Sequence, residues 1–138
     1  HSVERIGQLS NVISINGGVQ LDLMGQENAE SAGMRQLSGV GGQMDFLEGA
    51  FRSKGGKGFI CINSSRITKD GERRSNILPT IPGGSTISAP RTMIDYVATE
   101  YGVVSLMGKS LRERAEAMAS IAHPDFREEL LQYAHDHF

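Results

Sequence analysis

The order of apolar and polar positions predicts strands through the first two thirds of the chain and helices in the last third. Val12-Ile13-Ser14-Ile15 reads as a strand, and Val19-Gln20-Leu21-Asp22-Leu23 alternates apolar and polar as a half-buried strand does. Asn16-Gly17-Gly18 between them is a hairpin-turn signal, since Asn and Gly both tolerate positive φ. Residues 5–11 are polar and could extend from an upstream helix. Met24-Gly25-Gln26 is a second turn, and from Glu27 to Leu37 the periodicity fades into a loop or short irregular segment. Met44, Leu47 and Phe51 then share one helical face, which predicts a helix from about Gln43 to Arg52, stopped by the glycines of Ser53–Gly58.

Gly58–Asn63 is a continuous apolar run bounded by turn residues, the mark of a strand buried on both faces. Arg66–Lys69 and Glu72–Leu78 flank Asp70-Gly71, which predicts a polar hairpin projecting into solvent. Ser85–Ala89 reads as a short strand stopped by Pro90, and Ile94–Val104 as a strand with a break at Gly102. Ser110-Leu111-Arg112-Glu113 is a capping box, and Leu111, Ala115, Met118 and Ala122 share the face of the helix it opens. Pro124 suits the first turn of a final helix with Phe126, Leu130 and Tyr133 on its buried face. The pattern is α/β: a mixed sheet with helices and a C-terminal helical pair.

Bulk properties narrow the class without choosing a function. At 138 residues the chain should form one domain with a core of its own. A formal charge of −2 offers no general attraction to nucleic acid or anionic membrane, and no apolar run approaches a membrane span. The lone Cys61, in an apolar run, excludes an internal disulfide and reads as a buried small hydrophobe. With no export signal, the cytoplasm is the expected location. The chain starts without Met, as a piece of something longer or a processed product would.

Candidate chemistry centres on Ser38-Gly39-Val40-Gly41-Gly42-Gln43. Three glycines in four positions feed a helix N-terminus, where free backbone N–H groups and the helix dipole suit a phosphate, carboxylate or oxyanion. A tight connection explains the same residues. Lys54 and Lys57, beyond that helix, complement its dipole or contact phosphates. Arg66, Lys69, Arg73 and Arg74 read most simply as the solvated face of a hairpin, and Glu100 as an exposed strand end or a functional group. His123, His135 and His137 lack ligand spacing, so no metal is expected. Neither a P-loop nor Gly-x-Ser-x-Gly occurs.

Several segments together resemble one family. They are Val12–Asn16 through Asp22–Gln26, Arg35–Phe46, Ser53–Lys57, Val97–Val103, Gly108–Ala115 and Ile121–Arg127. In this order they resemble the C-terminal domain of the acetyl-CoA hydrolase/transferase family. The resemblance implies an open α/β domain of the CoA-transferase type, spanning 1–138, whose cleft is completed by an N-terminal domain of the same polypeptide. It implies CoA and acyl-CoA as substrates with a small carboxylate as acceptor, no permanently bound cofactor, and no nucleic acid or membrane partner. Homo-oligomerisation is left open.

In the family a glutamate attacks the acyl-CoA thioester, passing through an acyl-glutamyl anhydride to a glutamyl-CoA thioester. That glutamate lies in a His-Thr-Glu-like motif upstream of the segment here, and no such motif occurs in this sequence. Glu27, Glu48 and Glu100 are therefore not taken as nucleophiles. By the same resemblance Gly39, Val40, Gly41, Gly42 and Gln43 line the cleft, Lys54 and more weakly Lys57 contact CoA, and Asn16 lies near the reacting carboxylates. Water in place of the acceptor gives the hydrolase, and a binding or interaction module without catalysis is the competitor from another class.

Overall fold

The structure is a computed structural model that describes residues His1–Phe138. Its first element is a short helix, α1 (Val3–Gln8), capped by the Ser2 hydroxyl, so the polar start is helical in part. The central sheet holds four strands in the order β1 (Ile13–Gly17), β6 (Lys57–Cys61), β10 (Tyr96–Thr99) and β11 (Gly102–Ser105). β1, β6 and β10 run parallel, and β11 closes the edge antiparallel to β10. A mixed sheet with helices is therefore correct.

A second layer of short strands branches from the end of β1. β2 (Gln20–Asp22) pairs antiparallel with β3 (Glu27–Asn28) and parallel with β9 (Ile77–Leu78). β4 (Ser31–Ala32) and β5 (Arg35–Gln36) form a minimal hairpin inside the segment expected to be irregular. β7 (Ser65–Ile67) and β8 (Arg73–Ser75) form the predicted polar hairpin around Asp70-Gly71. The remaining helices are α2 (Gln43–Arg52), α3 (Leu111–Ser120) and α4 (Pro124–His137), and all three start where the pattern places them. The Ser110–Glu113 capping box is complete in both directions.

Several expectations need correction. Asn16-Gly17-Gly18 does not close a hairpin, because β1 pairs with β6 and the chain leaves for the second sheet: Gly18 N–H bonds Cys61 O and Val19 N–H bonds Asn28 O. Gly18 is needed for space instead, since a Cβ there would lie 2.8 Å from Glu27 Oε1 and 3.0 Å from Ile62. Gln20–Asp22 is buried throughout instead of half-buried, its polar side chains being absorbed by Asn28 and by the turn that follows. Ser85–Ala89 is no strand and makes only a bridge from Ala89 to Glu27. Ile94–Val104 is two strands, with the reversal at Glu100-Tyr101 just ahead of Gly102.

The core lies on one side of the sheet. Ile60 and Val97 face Leu21, Leu23, Ile77, Leu106 and the α3 residues Ala115 and Met118, all fully buried. Leu111 falls outside that core, 40% exposed. The opposite sheet face carries Ile13, Ile15, Phe59, Tyr96, Cys61, Ala98 and Val103 by strand alternation and register. No helix of the chain covers it: Ile13, Ile15 and Val103 are 62%, 68% and 57% exposed. Cys61 is half-buried on this face, so β6 is not buried on both sides. No helix is long and apolar enough to cross a membrane.

Candidate functional site

In a β-α-β unit the helix returns antiparallel to its strands, so its N-terminus reaches the edge where the strands end. α2 obeys this. At its far end Lys54 O accepts from Asn11 N–H and the Ser53 hydroxyl bonds Leu9 and Val12, at the starts of the strands. Its first residue, Gln43, donates from Nε2 to Glu27 Oε2, and Glu27 Oε1 lies against Gly18 beyond the end of β1. The glycine loop and the carboxyl ends of β1, β6 and β10 therefore share one edge of the sheet. An open depression of about 390 Å³ lies there, lined by Gly18, Cys61, Asn63, Thr99 and Glu100 among others.

The loop itself is built to leave donors free. Gly41 has φ +60 and Gly42 is an N-cap with no side-chain acceptor. Ser38 N–H bonds the Glu30 carbonyl, but from Gly39 through Val40, Gly41, Gly42, Gln43 and Met44 to Asp45 no backbone N–H donates to another protein group. Seven successive free donors at the positive end of a helix are the kind of group that can accept an anion or a developing oxyanion. Helix geometry supplies four of the orphans in any helix, and the glycines add the rest without side chains in the way.

Asn16 sits in β1 one residue before its end, its Nδ2 donating to Ser14 Oγ at 2.8 Å on the α2-covered face. Gly39, Val40, Gly41, Gly42, Gln43 and Asn16 are thus gathered toward one edge. Lys54 and Lys57 are not. They lie at the other end of α2, a ten-residue helix, about 15 Å along its axis from the glycine loop. Lys57 opens β6 opposite Ile13 and acts on Asp95, whose carboxyl is raised by burial and held back by the Gly58 backbone and by Lys57. The hairpin arginines are engaged locally: Arg66 with Asn76, Arg73 with Ser65 and Arg74 with Glu72.

Glu100 occupies the β10–β11 turn, where its Oε1 accepts the Ser64 N–H at 2.7 Å. Burial acts to raise its carboxyl, yet bonds from Ser64 and its own backbone, with His123 nearby, hold it below the ordinary carboxylate value. Sequence reasoning missed Glu27. Nothing in Gln26-Glu27-Asn28 announces a buried acid, yet Glu27 is fully buried with Oε1 unpartnered. Burial raises it from 4.5 to about 7, the Gln43 bond works against the rise, and Glu30 adds to it. The one signal available was a two-residue strand position shared with Asn28, which no periodicity reveals.

A carboxyl raised on folding binds its proton more tightly in the folded chain, so the folded state loses stability as pH climbs from the unfolded value to the folded one. For Glu27 that window is 4.5 to about 7. We expect the stability difference between Glu27→Gln and the parent to grow in favour of the variant by about 3 kcal/mol across this window. Urea titrations at a series of pH values measure it. A difference that stays constant with pH would show that Glu27 does not titrate there.

Comparison with known proteins shows the family. The description of the acetyl-CoA hydrolase/transferase C-terminal domain matches residues 1–134. The 4-hydroxybutyrate coenzyme A transferase of Clostridium kluyveri is 52% identical over 121 residues, covering 88% of this chain and 28% of that protein. The butyryl-CoA:acetate CoA-transferase of Anaerostipes caccae is 46% identical over 134 residues, covering 97% of this chain and 30% of that one. The crystal structure of RipA from Yersinia pestis superposes with a TM-score of 0.86 at 42% identity, covering 98% of this chain and 30% of RipA. The chain thus spans about 30% of the length of the relatives it matches. It belongs to the acetyl-CoA hydrolase/transferase C-terminal domain family.

Proposed function

We propose that this chain supplies the C-terminal half of an acyl-CoA transferase site that moves CoA between an acyl-CoA and a small carboxylate. The run of free N–H groups from Gly39 to Asp45 carries the reading. Attack on a thioester by a carboxylate passes through a tetrahedral oxyanion, which needs fixed donors where the charge develops. Gly39, Val40, Gly41, Gly42 and Gln43 provide that surface, and Asn16 stands near the reacting carboxylates. Lys54 and Lys57, at the far end of α2, are proposed to meet the phosphates of CoA and not its thioester.

The attacking glutamate belongs to the upstream part of the same polypeptide. Its carboxylate displaces CoA thiolate to give an acyl-glutamyl anhydride. The thiolate then attacks the glutamyl carbonyl, releasing the acyl group as a carboxylate and leaving glutamyl-CoA. A second carboxylate reverses the sequence. The bare sheet face supports a further domain: largely parallel sheets are covered on both sides, and Ile13, Ile15, Phe59 and Val103 offer an apolar seat for it. We place the protein in the cytoplasm on the strength of its single unpaired cysteine.

Covalent trapping tests the assignment. The full-length polypeptide is incubated with acetyl-CoA, reduced with borohydride and digested for mass spectrometry. The reduced thioester is expected on a glutamate upstream of His1 and on none of Glu27, Glu48 or Glu100. A tag on one of those three, or no tag together with no exchange of CoA onto added carboxylates, sinks the proposal. Thioester hydrolysis that outruns exchange at saturating acceptor makes the protein the hydrolase of its family instead.

A further inference from the structure

Two carboxyls just before the glycine loop have no part in the reaction above, and both are buried: Glu27 fully and Glu30 to 4% exposure. They grip opposite ends of the loop. At its start the Glu30 carbonyl accepts Leu37 N–H at 2.7 Å and Ser38 N–H at 3.2 Å. Glu30 Oε1 also accepts from Gln36 Nε2 at 3.2 Å, and that same amide nitrogen donates to Ser38 O at 2.6 Å. At its end Glu27 Oε2 accepts from Gln43, the first residue of α2. Each carboxyl keeps one buried oxygen with no partner, Oε1 on Glu27 and Oε2 on Glu30.

Buried polar atoms are nearly always paired, so two half-satisfied carboxyls three residues apart are an expensive arrangement for a connecting segment. No salt bridge reaches either one. The groups around Glu27 are few. From α2 comes the neutral Gln43, from the end of β1 Gly18, and from residues 88–89 only backbone. β2 brings Asp22, whose carboxylate is turned into its own turn by Met24 N–H and by the backbone and side-chain nitrogens of Gln26. Glu30 is the charge that acts on Glu27. On the outer side of the loop His1 lies against Gly42, 3.7 Å from Asp45.

We propose that Glu27 and Glu30 are positioning residues that clamp the two ends of the Ser38–Gly42 loop, and that loss of the Glu27 proton releases the helix end of the clamp. This rests on the reading of the loop as the seat of the thioester. While Glu27 is protonated, Oε2 accepts from Gln43 and the pair carries at most one charge. On ionisation the proton goes to solvent, and two carboxylates share a dry site in which Gln43 is the sole side-chain donor to Glu27. Turning Glu27 toward water relieves that cost and gives up the Gln43 bond. The first turn of α2 and its row of free N–H groups then lose their fixed position. Burial already raises Glu27 to about 7, which puts the change in the neutral range.

Hydrogen exchange read by mass spectrometry on peptides covering residues 38–46 tests this in the substrate-free full-length polypeptide, with rates corrected for intrinsic pH dependence. Protection is expected to fall about fivefold or more between about pH 6 and about pH 8.5 in the parent. Glu27→Gln keeps an oxygen for Gln43 and has no proton to lose, so its protection should hold at both. His1→Ala should respond as the parent does. A parent loop indifferent to pH, a Glu27→Gln loop that loosens in parallel with it, or a response abolished by His1→Ala each overturns the proposal. Because no substrate is present, these outcomes leave the acyl-CoA reading untouched, while a failed trapping experiment leaves the clamp untouched. In turnover, Glu27→Gln should also remove an alkaline fall in kcat/KM, a limb that a purely structural Glu27 would leave in place.

Discussion

Gly41→Val is expected to lower kcat of the full-length polypeptide by about 10²–10³ while leaving it folded, the range seen when one oxyanion donor is lost. Gly41 has φ +60, and a Cβ placed on it meets nothing within 4 Å. The change therefore adds no clash. A β-branched residue is strained in that backbone region, about 1–2 kcal/mol, and relieves the strain by rotating its peptide planes. Rotation turns the Gly41 and Gly42 N–H groups away from any common focus. Binding spread over the rest of CoA should survive, so the loss falls on kcat more than on KM. Gly71→Val is the matched control: φ is +82, nothing lies within 4 Å, and the site is the polar β7–β8 hairpin. It should cost similar stability and leave kcat within about threefold. Equal losses in both variants would assign the effect to folding and remove the loop from the reaction.

The contrast between these glycines shows what was readable in the chain and what was not. Helices announced themselves through local rules. The Met44-Leu47-Phe51 spacing fixed α2, and the Ser110–Glu113 box fixed the start of α3, because cap and periodicity depend on residues three or four apart. Strand pairing was not legible in the same way. Asn16-Gly17-Gly18 carries every local mark of a hairpin, but the partner of β1 is β6, forty residues on, and a parallel pairing leaves no turn signal. Gly18 is small because Glu27, Ile60 and Ile62 crowd it, a reason that exists only in three dimensions.

The site divides along the same line. Free N–H groups at this place were implied by glycines before a helix, although helix geometry alone accounts for only four of the seven. The direction of α2 decided more than its composition did. Lys54 and Lys57 sit near the loop in sequence, yet ten helical residues carry them to the opposite edge of the sheet. Glu100, far away in sequence, arrives beside Gly18 and Asn63 because β6 and β10 are neighbours. Glu27 was invisible for a further reason: a buried acid is defined by what covers it, and its cover comes from Gly18, Gln43 and the 88–89 backbone together.

Arg114→Leu is expected to destabilise the fold by about 3–5 kcal/mol, enough to unfold a marginal domain near its working temperature. Arg114 is 7% exposed on α3, where the pattern of Leu111, Ala115 and Met118 gives no hint of it. Its guanidinium reaches three separate carbonyls: Nε to Met24 O at 2.8 Å, Nη1 to Leu106 O at 3.1 Å and Nη2 to Arg91 O at 2.8 Å. These belong to the β2–β3 turn, the end of β11 and the 3-10 turn over Arg91–Met93, so one side chain ties the second sheet and two connections to α3. Gly25, with φ +91, has no Cβ partly because one would lie 2.7 Å from Nη2. Leu fills much of the volume but leaves the part-buried Met24 and Arg91 carbonyls unpaired and the Leu106 carbonyl with only the Lys109 N–H, each lost bond worth about 1–3 kcal/mol before relaxation. Burial lowers the Arg114 pKa, with Arg91 adding to it and Asp22 opposing, so the native arrangement already bears a desolvation cost that Leu removes. That offset keeps the expected loss below the sum of the three bonds. Gly25→Ala should mimic it through the same contact, and the pair should be strongly non-additive, since either change alone displaces the guanidinium. Urea titration of the single and double variants reads both terms, and additive losses would mean that Gly25 and Arg114 act on the fold independently.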